Sequence, residues 1–231
     1  MRHIVFCGLF LLVVSAGVAT AGPILKFDDP TAPGGTIFYN GIGGPVVGTN
    51  ILFQTVTGLG TPLNAGAANK LTCYNGDCLL NFTSGSNITE GVGVGTTWTF
   101  ASTSSSFAVT GSLQDPSTNP IASGTLLSGF FTLDVAFKRT PDATSGQFDG
   151  AGFDVKNIDL LTYFGLQNYS FNFSNTEITL GSTTYTAAHG FTGTVNNADL
   201  NNLGSPIPEP GTLILLGSGL LALCVAARRR N

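Results

Sequence analysis

The chain has 231 residues, enough for one substantial domain or two small ones. Gly, Thr, Ser and Asn supply 94 of them, while Asp, Glu, Lys and Arg together reach only 10%, too few charges for a coiled coil or an ordinary helical cytosolic enzyme. Hydrophobic residues at 42%, including 17 Phe, exclude wholesale disorder. The net charge of −4 conceals a more acidic centre, because between residues 22 and 207 twelve carboxylates face five basic side chains. No basic block interrupts that stretch, which argues against nucleic acid as a partner. An anionic surface repels acidic polymers and leaves neutral glycans, or anionic ones bridged by a cation, as candidates.

In chain order, residues 1–21 come first and read as a secretory signal peptide. Arg2 and His3 precede the apolar run Ile4–Val14, and Ala19-Thr20-Ala21 supplies an A-x-A site whose cleavage leaves Gly22 first. The run is short of the roughly 20 residues that crossing a ~30 Å hydrocarbon core requires. Beyond it the alternation of apolar and polar residues predicts strands at Thr36–Tyr39, Val46–Thr57, Leu79–Thr83, Thr96–Ala101, Phe107–Leu113, Phe131–Lys138, Gly152–Asp159, Tyr169–Ser174 and Glu177–Leu180. Turns rich in Gly, Asn, Asp and Pro separate them, among them Asn75-Gly76, Asp115-Pro116, Pro141-Asp142 and Asp149-Gly150. Asn157–Gln167 is the one ambiguous run that a helix would also fit. No repeat of fixed period appears, which argues against a solenoid. Many short strands with one buried face predict an all-β fold, an antiparallel β-sandwich of jelly-roll-like type over residues 22–194. Residues 195–206, polar, Asn-rich and poor in bulky side chains, are expected to be a linker.

Chemistry-bearing residues in the body are sparse. Cys73 and Cys78 enclose Tyr74-Asn75-Gly76-Asp77, and in an exported compartment a disulfide is expected, with Asn-Gly reversing the chain as a hairpin. A redox site would call for C-x-x-C, and zinc for two further ligands. His189 is the single histidine between the end segments, and Ala187-Ala188-His189-Gly190 reads as a turn rather than the base of a triad; Ser182 lacks a G-x-S-x-G context. Two groups could offer oxygen ligands to calcium, Asp28-Asp29 and Asp149 with Asp154, although turn-forming aspartates explain both more simply and no metal site or cofactor is assigned. Glycoside cleavage by paired carboxylates finds no marked pair. Trp98 shares a strand face with Phe100 and reads as core, whereas Tyr39, Tyr74 and Tyr185 stand near turns and are freer to meet a ligand.

The C-terminus carries the densest signal. Pro206-Ile207-Pro208-Glu209-Pro210-Gly211 precedes a largely apolar run, Thr212–Ala227, and then Arg228-Arg229-Arg230-Asn231. Sixteen helical residues span about 24 Å, a thin fit to a bilayer, and three arginines would hold their end in the cytoplasm as a stop-transfer signal with the body facing outward. Pro208-Glu209-Pro210, the short apolar helix and the basic end resemble the PEP-CTERM sorting signal of Gram-negative bacteria, which the integral-membrane protease exosortase recognises. The resemblance covers about 25 of the 231 residues, 207–231. It implies that the tripeptide is read, the tail is cut after transient residence in the inner membrane, and the body passes to the envelope surface or the medium, typically in species that make extracellular polysaccharide. Ile207 stands where a valine is often found. A permanent single-span anchor is the plain alternative. The resemblance concerns sorting and brings no catalytic residue to the body.

The combined expectation is a non-enzymatic, exported β-sandwich flanked by a signal helix and a transmembrane helix, working as a structural or adhesive component of an exopolysaccharide or biofilm matrix. A carbohydrate-binding module, calcium-assisted or not, is the second reading, and a glycan hydrolase using paired aspartates the third.

Overall fold

Side chains that alternate between apolar and polar along an extended chain can bury one face only if neighbouring strands present the same face, and here they do so around a closed ring. The computed structural model describes residues 22–29, 34–74, 78–91, 93, 95–140, 144–207 and 219. The signal peptide at 1–21, Pro208–Pro210, the apolar run 212–227 apart from Gly219, and Arg228–Arg230 lie outside the described residues. Among the described residues no helix is long and apolar enough to cross a membrane.

The strands are β1 (Gly22–Asp29), β2 (Thr36–Tyr39), β3 (Pro45–Phe53), β4 (Thr55–Gly58), β5 (Lys70–Cys73), β6 (Cys78–Thr89), β7 (Thr97–Phe100), β8 (Ser106–Gln114), β9 (Pro120–Phe131), β10 (Val135–Arg139), β11 (Gly146–Lys156), β12 (Tyr169–Tyr185) and β13 (Phe191–Pro206), with helix α1 (Ile158–Phe164) between β11 and β12. All pairings are antiparallel. Short strands join end to end into longer staves. β1 and β2 line the same edge of β13, with Leu25 opposite Asn202 and Ile37 opposite Gly193. In the same way β3 continues into β4, β5 into β6, β7 into β8 and β9 into β10. Each stave pairs with the next in sequence, and β13 returns to β1 and β2, so the pairing closes on itself.

The all-β, antiparallel expectation is therefore borne out, and its jelly-roll part is corrected. A jelly roll requires strands that cross over to distant partners, whereas here consecutive staves are neighbours, the order of an up-and-down barrel without free edges. The linker expected at 195–206 is also corrected: these residues are most of β13, paired to β12 on one side and β1 on the other. Val195, Ala198, Leu200, Asn202 and Gly204 face inward and the remaining Asn face outward, so small and polar residues here mark a close-packed seam. Phe131–Lys138 breaks into two strands around exposed Leu133, while Phe131, Val135 and Phe137 are buried as the alternation requires.

Rings fill the interior. Phe137 stacks on Phe191 at 3.9 Å between centroids, Phe82 on Phe148 at 4.6 Å, and Phe107 meets Phe173 edge-on at 4.6 Å. Room for them comes from inward glycines: a Cβ at Gly48 would stand 2.1 Å from the Phe82 ring, and one at Gly152 2.5 Å from that of Phe173. The high Gly and Phe contents are thus two sides of one packing scheme. At one pole Trp98, fully sequestered, donates from its indole to the His189 carbonyl at 2.9 Å and stacks on Tyr185. The other pole is plugged by α1, whose Leu160, Leu161 and Phe164 point into the barrel. Asn157 caps that helix by accepting from the Asp159 amide, and Gly165 ends it at φ 72°, a left-handed conformation that glycine adopts without Cβ strain.

Candidate functional site

Cys73 and Cys78 are bonded, with Cα atoms 5.6 Å apart. The expected hairpin is not what they close. β5 and β6 run in the same direction along one edge of β8, Cys73 opposite Leu113 and Leu79 opposite Thr110, so the bridge joins two segments of one stave. Only Cys73, Tyr74 and Cys78 of residues 73–78 are described. Tyr74, anchored by its bonded neighbour, is exposed at the side of a cleft of about 450 Å³. Ser112, Gln114, Ile121 and Ser123 of the β8–β9 hairpin line it, together with Asp159 from the first turn of α1. Its volume falls within the range of small-ligand clefts, about 300–1,000 Å³. An aromatic ring beside hydroxyls, an amide and a carboxylate suits a polyhydroxylated, uncharged ligand. Elsewhere an exposed aromatic pair, Phe130 and Phe153, sits in register on β9 and β11 with centroids 5.9 Å apart.

The barrel wall holds two charged clusters. On the outer face of the β1–β13 seam Asp28 stands opposite Asp199, and Lys26 Nζ lies 3.1 Å from each carboxylate. Burial and the hydrogen bond shared with Asp199 push the Asp28 carboxyl above its usual range against the pull of Lys26. Burial acts the same way on Asp199, but hydrogen bonds from Asp28 and Lys26 outweigh it and hold that carboxyl low. Burial would lower Lys26, and its two partners overcome that to raise it. This is the paired aspartate that sequence reasoning missed, since its members are distant in the chain; their ammonium bridge on an open wall suits an ion triad better than an acid and a nucleophile.

The second cluster is inside. Asp154 and Lys156, two residues apart on β11, share the inward face with Phe148 and are both buried. Lys156 Nζ donates to Asp154 Oδ1 and, at 2.7 Å, to Asn202 Oδ1 on β13, and lies 4.2 Å from the centre of the Phe171 ring. Asp154 Oδ2 and Asn202 Nδ2 are buried without a hydrogen-bond partner. Burial drives the Lys156 ammonium down to about 8 although Asp154 opposes it, and burial likewise pushes the Asp154 carboxyl up against Lys156.

The calcium groupings do not assemble among the described side chains. Asp154 is committed to this interior cluster, while Asp149 faces outward and accepts from Gln147 Nε2 at 3.0 Å. Asp28 belongs to the ion triad. Among the described residues no group of three or more His, Cys, Asp or Glu is placed to hold a metal. His189 is exposed in the turn from β12 to β13, at φ 63°, and no hydrogen bond joins it to Ser182 among the described residues. Tyr39 is core rather than surface: its hydroxyl donates to Glu90 Oε1 at 2.6 Å, and burial, then that carboxylate, pushes it up to about 12.

The described barrel runs up to the sorting residues. Pro206 closes β13 opposite Tyr169, and the Ile207 amide still donates to the Asn168 carbonyl at 2.7 Å. No curated protein and no solved structure matches the chain. One family model does, over residues 206–230, and through it the chain's C-terminal segment is identified as a PEP-CTERM protein-sorting motif.

Proposed function

We propose that the barrel is exported, handed by its tail to exosortase, cut near Pro208–Pro210 after a passage through the inner membrane, and left at the cell surface or outside as a non-enzymatic structural or adhesive component of an exopolysaccharide matrix. The observation that carries this reading is the sorting motif matched at 206–230, starting at the last residue of the closing strand. A ring without free edges, filled with aromatic side chains, suits a protein that must persist in a harsh medium, because edge-to-edge aggregation has no template to start from. The test is the fate of the tail in cells with an active exosortase. Wild-type protein recovered from the surface or medium lacks Arg228–Arg230, and a variant with Pro208, Glu209 and Pro210 all changed to Ala stays full-length in the membrane. Surface protein still bearing its arginines would sink the proposal.

A carbohydrate-binding role is the second reading, favoured by the Tyr74 cleft. It expects wild-type protein to be retarded in gels containing a neutral polysaccharide and Tyr74→Ala to migrate as in plain gels. Equal mobility of wild type with and without polysaccharide removes it. Retardation that a chelator abolishes would instead point to calcium.

A further inference from the structure

A lysine amine, an asparagine amide and a carboxylate are held together in a space that excludes water, and none of the three is explained by barrel packing. Apolar side chains of similar size would hold β11 to the seam as well, since a buried ion pair is commonly no more stabilising than the hydrophobic residues that could replace it. The arrangement instead meets the requirements of an acyl transfer between side chains. The nucleophile Lys156 Nζ is 2.7 Å from Asn202 Oδ1, so the amide carbon, one bond further, lies at the approach distance of a reactive pair, roughly 3–3.5 Å. A carboxyl group, Asp154, touches the amine and can take its proton. Within this cluster, Asp154 Oδ2 and Asn202 Nδ2, the proton carrier and the leaving nitrogen, are buried without hydrogen-bond partners.

We infer that Lys156 and Asn202 are joined by an intramolecular amide bond that Asp154 promotes. The neutral amine adds through its lone pair to Cγ of Asn202, and the Asp154 carboxyl group stabilises the oxygen of the tetrahedral intermediate. The Cγ–Nδ2 bond then breaks. The nitrogen departs as ammonia, carrying a proton that Asp154 relays from the attacking amine. One C–N bond forms and one breaks, no electrons change hands, and no co-reactant is needed. Burial shifts both groups toward the required protonation states, because it lowers the amine and raises the carboxyl. Exclusion of water also protects the asparagine from hydrolysis, the competing reaction. The bond spans 46 residues and ties β11 to β13 across β12, a covalent brace near the pole that α1 plugs.

Peptide mass spectrometry tests this on the full chain expressed with its own end segments. The folded protein is reduced, denatured and cut with trypsin and a glutamate-specific protease, which separates Lys156 from Asn202 at Glu177. Wild type yields a branched peptide about 17 Da lighter than the sum of its two parts, the mass of ammonia, and no cleavage after Lys156. Asn202→Ala and the near-isosteric Asp154→Asn both lose the branched peptide and regain that cleavage. Folded wild-type protein giving a peptide that ends at Lys156, with an unmodified Asn202 peptide, overturns the inference. So does an Asp154→Asn variant that is linked as completely and as fast as wild type.

Discussion

Replacing Gly48 by Ala pits two physical effects against each other. Alanine costs less backbone entropy than glycine in a strand, a gain of roughly 0.5–1 kcal/mol. Its Cβ, however, would stand 2.1, 2.4 and 2.7 Å from three carbons of the Phe82 ring, where carbon pairs prefer about 3.5–4.0 Å. The ring has little room to retreat, because Phe148 stacks on it at 4.6 Å and Phe131 meets it edge-on at 5.9 Å. Overpacking of this kind costs about 1–3 kcal/mol, and displacing two further rings puts the penalty at the upper end, a net loss of about 2 kcal/mol. Urea unfolding followed by the emission of the sole tryptophan, Trp98, measures it, since that indole is buried at the far pole and reports global unfolding. Combining Gly48→Ala with Phe82→Leu relieves the clash, so the double variant is more stable than the sum of the single losses predicts. A neutral or stabilising Gly48→Ala, or strict additivity with Phe82→Leu, would refute the account of why glycine and phenylalanine are abundant together.

Three further outcomes follow from the geometry. Cys73→Ser with Cys78→Ser lowers stability by about 2 kcal/mol, the chain-entropy value for so short a loop, and leaves the fold intact; calorimetry reads the shift. Tyr39→Phe strips Glu90 of its donor and costs about 1.5–3 kcal/mol in the same urea assay. Because the folded protein holds the Tyr39 proton up to about 12, it binds more protons than the unfolded chain above pH 10, so stability falls as pH climbs through that window and the Phe variant lacks that part of the fall. At the β1–β13 seam the signs oppose: Asp28, held high, favours the folded state at low pH and loses that contribution as pH rises through its folded value. Asp199, held low, contributes above the ordinary aspartate range and loses that contribution as pH falls through its folded value. Carboxyl carbon NMR of wild type shows two separated titrations, and Asp199→Asn brings the Asp28 transition down toward the ordinary value; an unmoved Asp28 would contradict the shared hydrogen bond.

Strands built on large alternating side chains were legible in the sequence, as at Thr36–Tyr39 and Tyr169–Ser174, because a period of two needs only residue size to be seen. β13 was not, since its inward positions include Gly193, Ala198, Asn202 and Gly204, which make sense only once neighbouring staves are known to press on them. β1, β5 and most of β9 escaped for related reasons: few bulky residues, or a position beside the export signal. Topology was hidden too, because a disulfide around Asn-Gly reads as a hairpin until both flanking strands are found on one edge of β8. The interior cluster did leave a trace. Asp154 and Lys156 continue the inward register of Phe148, and a charge pair on the apolar face of a strand is the local conflict that marks a special site. Grouping Asp154 with Asp149 by proximity in sequence ignores that positions of opposite parity point to opposite sides. Asn202 carried no sequence signal at all.

The last stave is the keystone of the ring, and on the proposed export route it is also the last to leave the translocation pore. β1 meets β4 along one edge, but its other edge is covered only by residues 198–204, so the barrel stays open until nearly the whole body has been delivered. With the Ile207 amide tied to Asn168, no slack separates the completed fold from Pro208. If the tail is processed as proposed, closing of the ring and reading of the tripeptide are neighbouring events in space and time, and a protease embedded in the bilayer would meet either an unzipped seam or the rim of a finished cylinder.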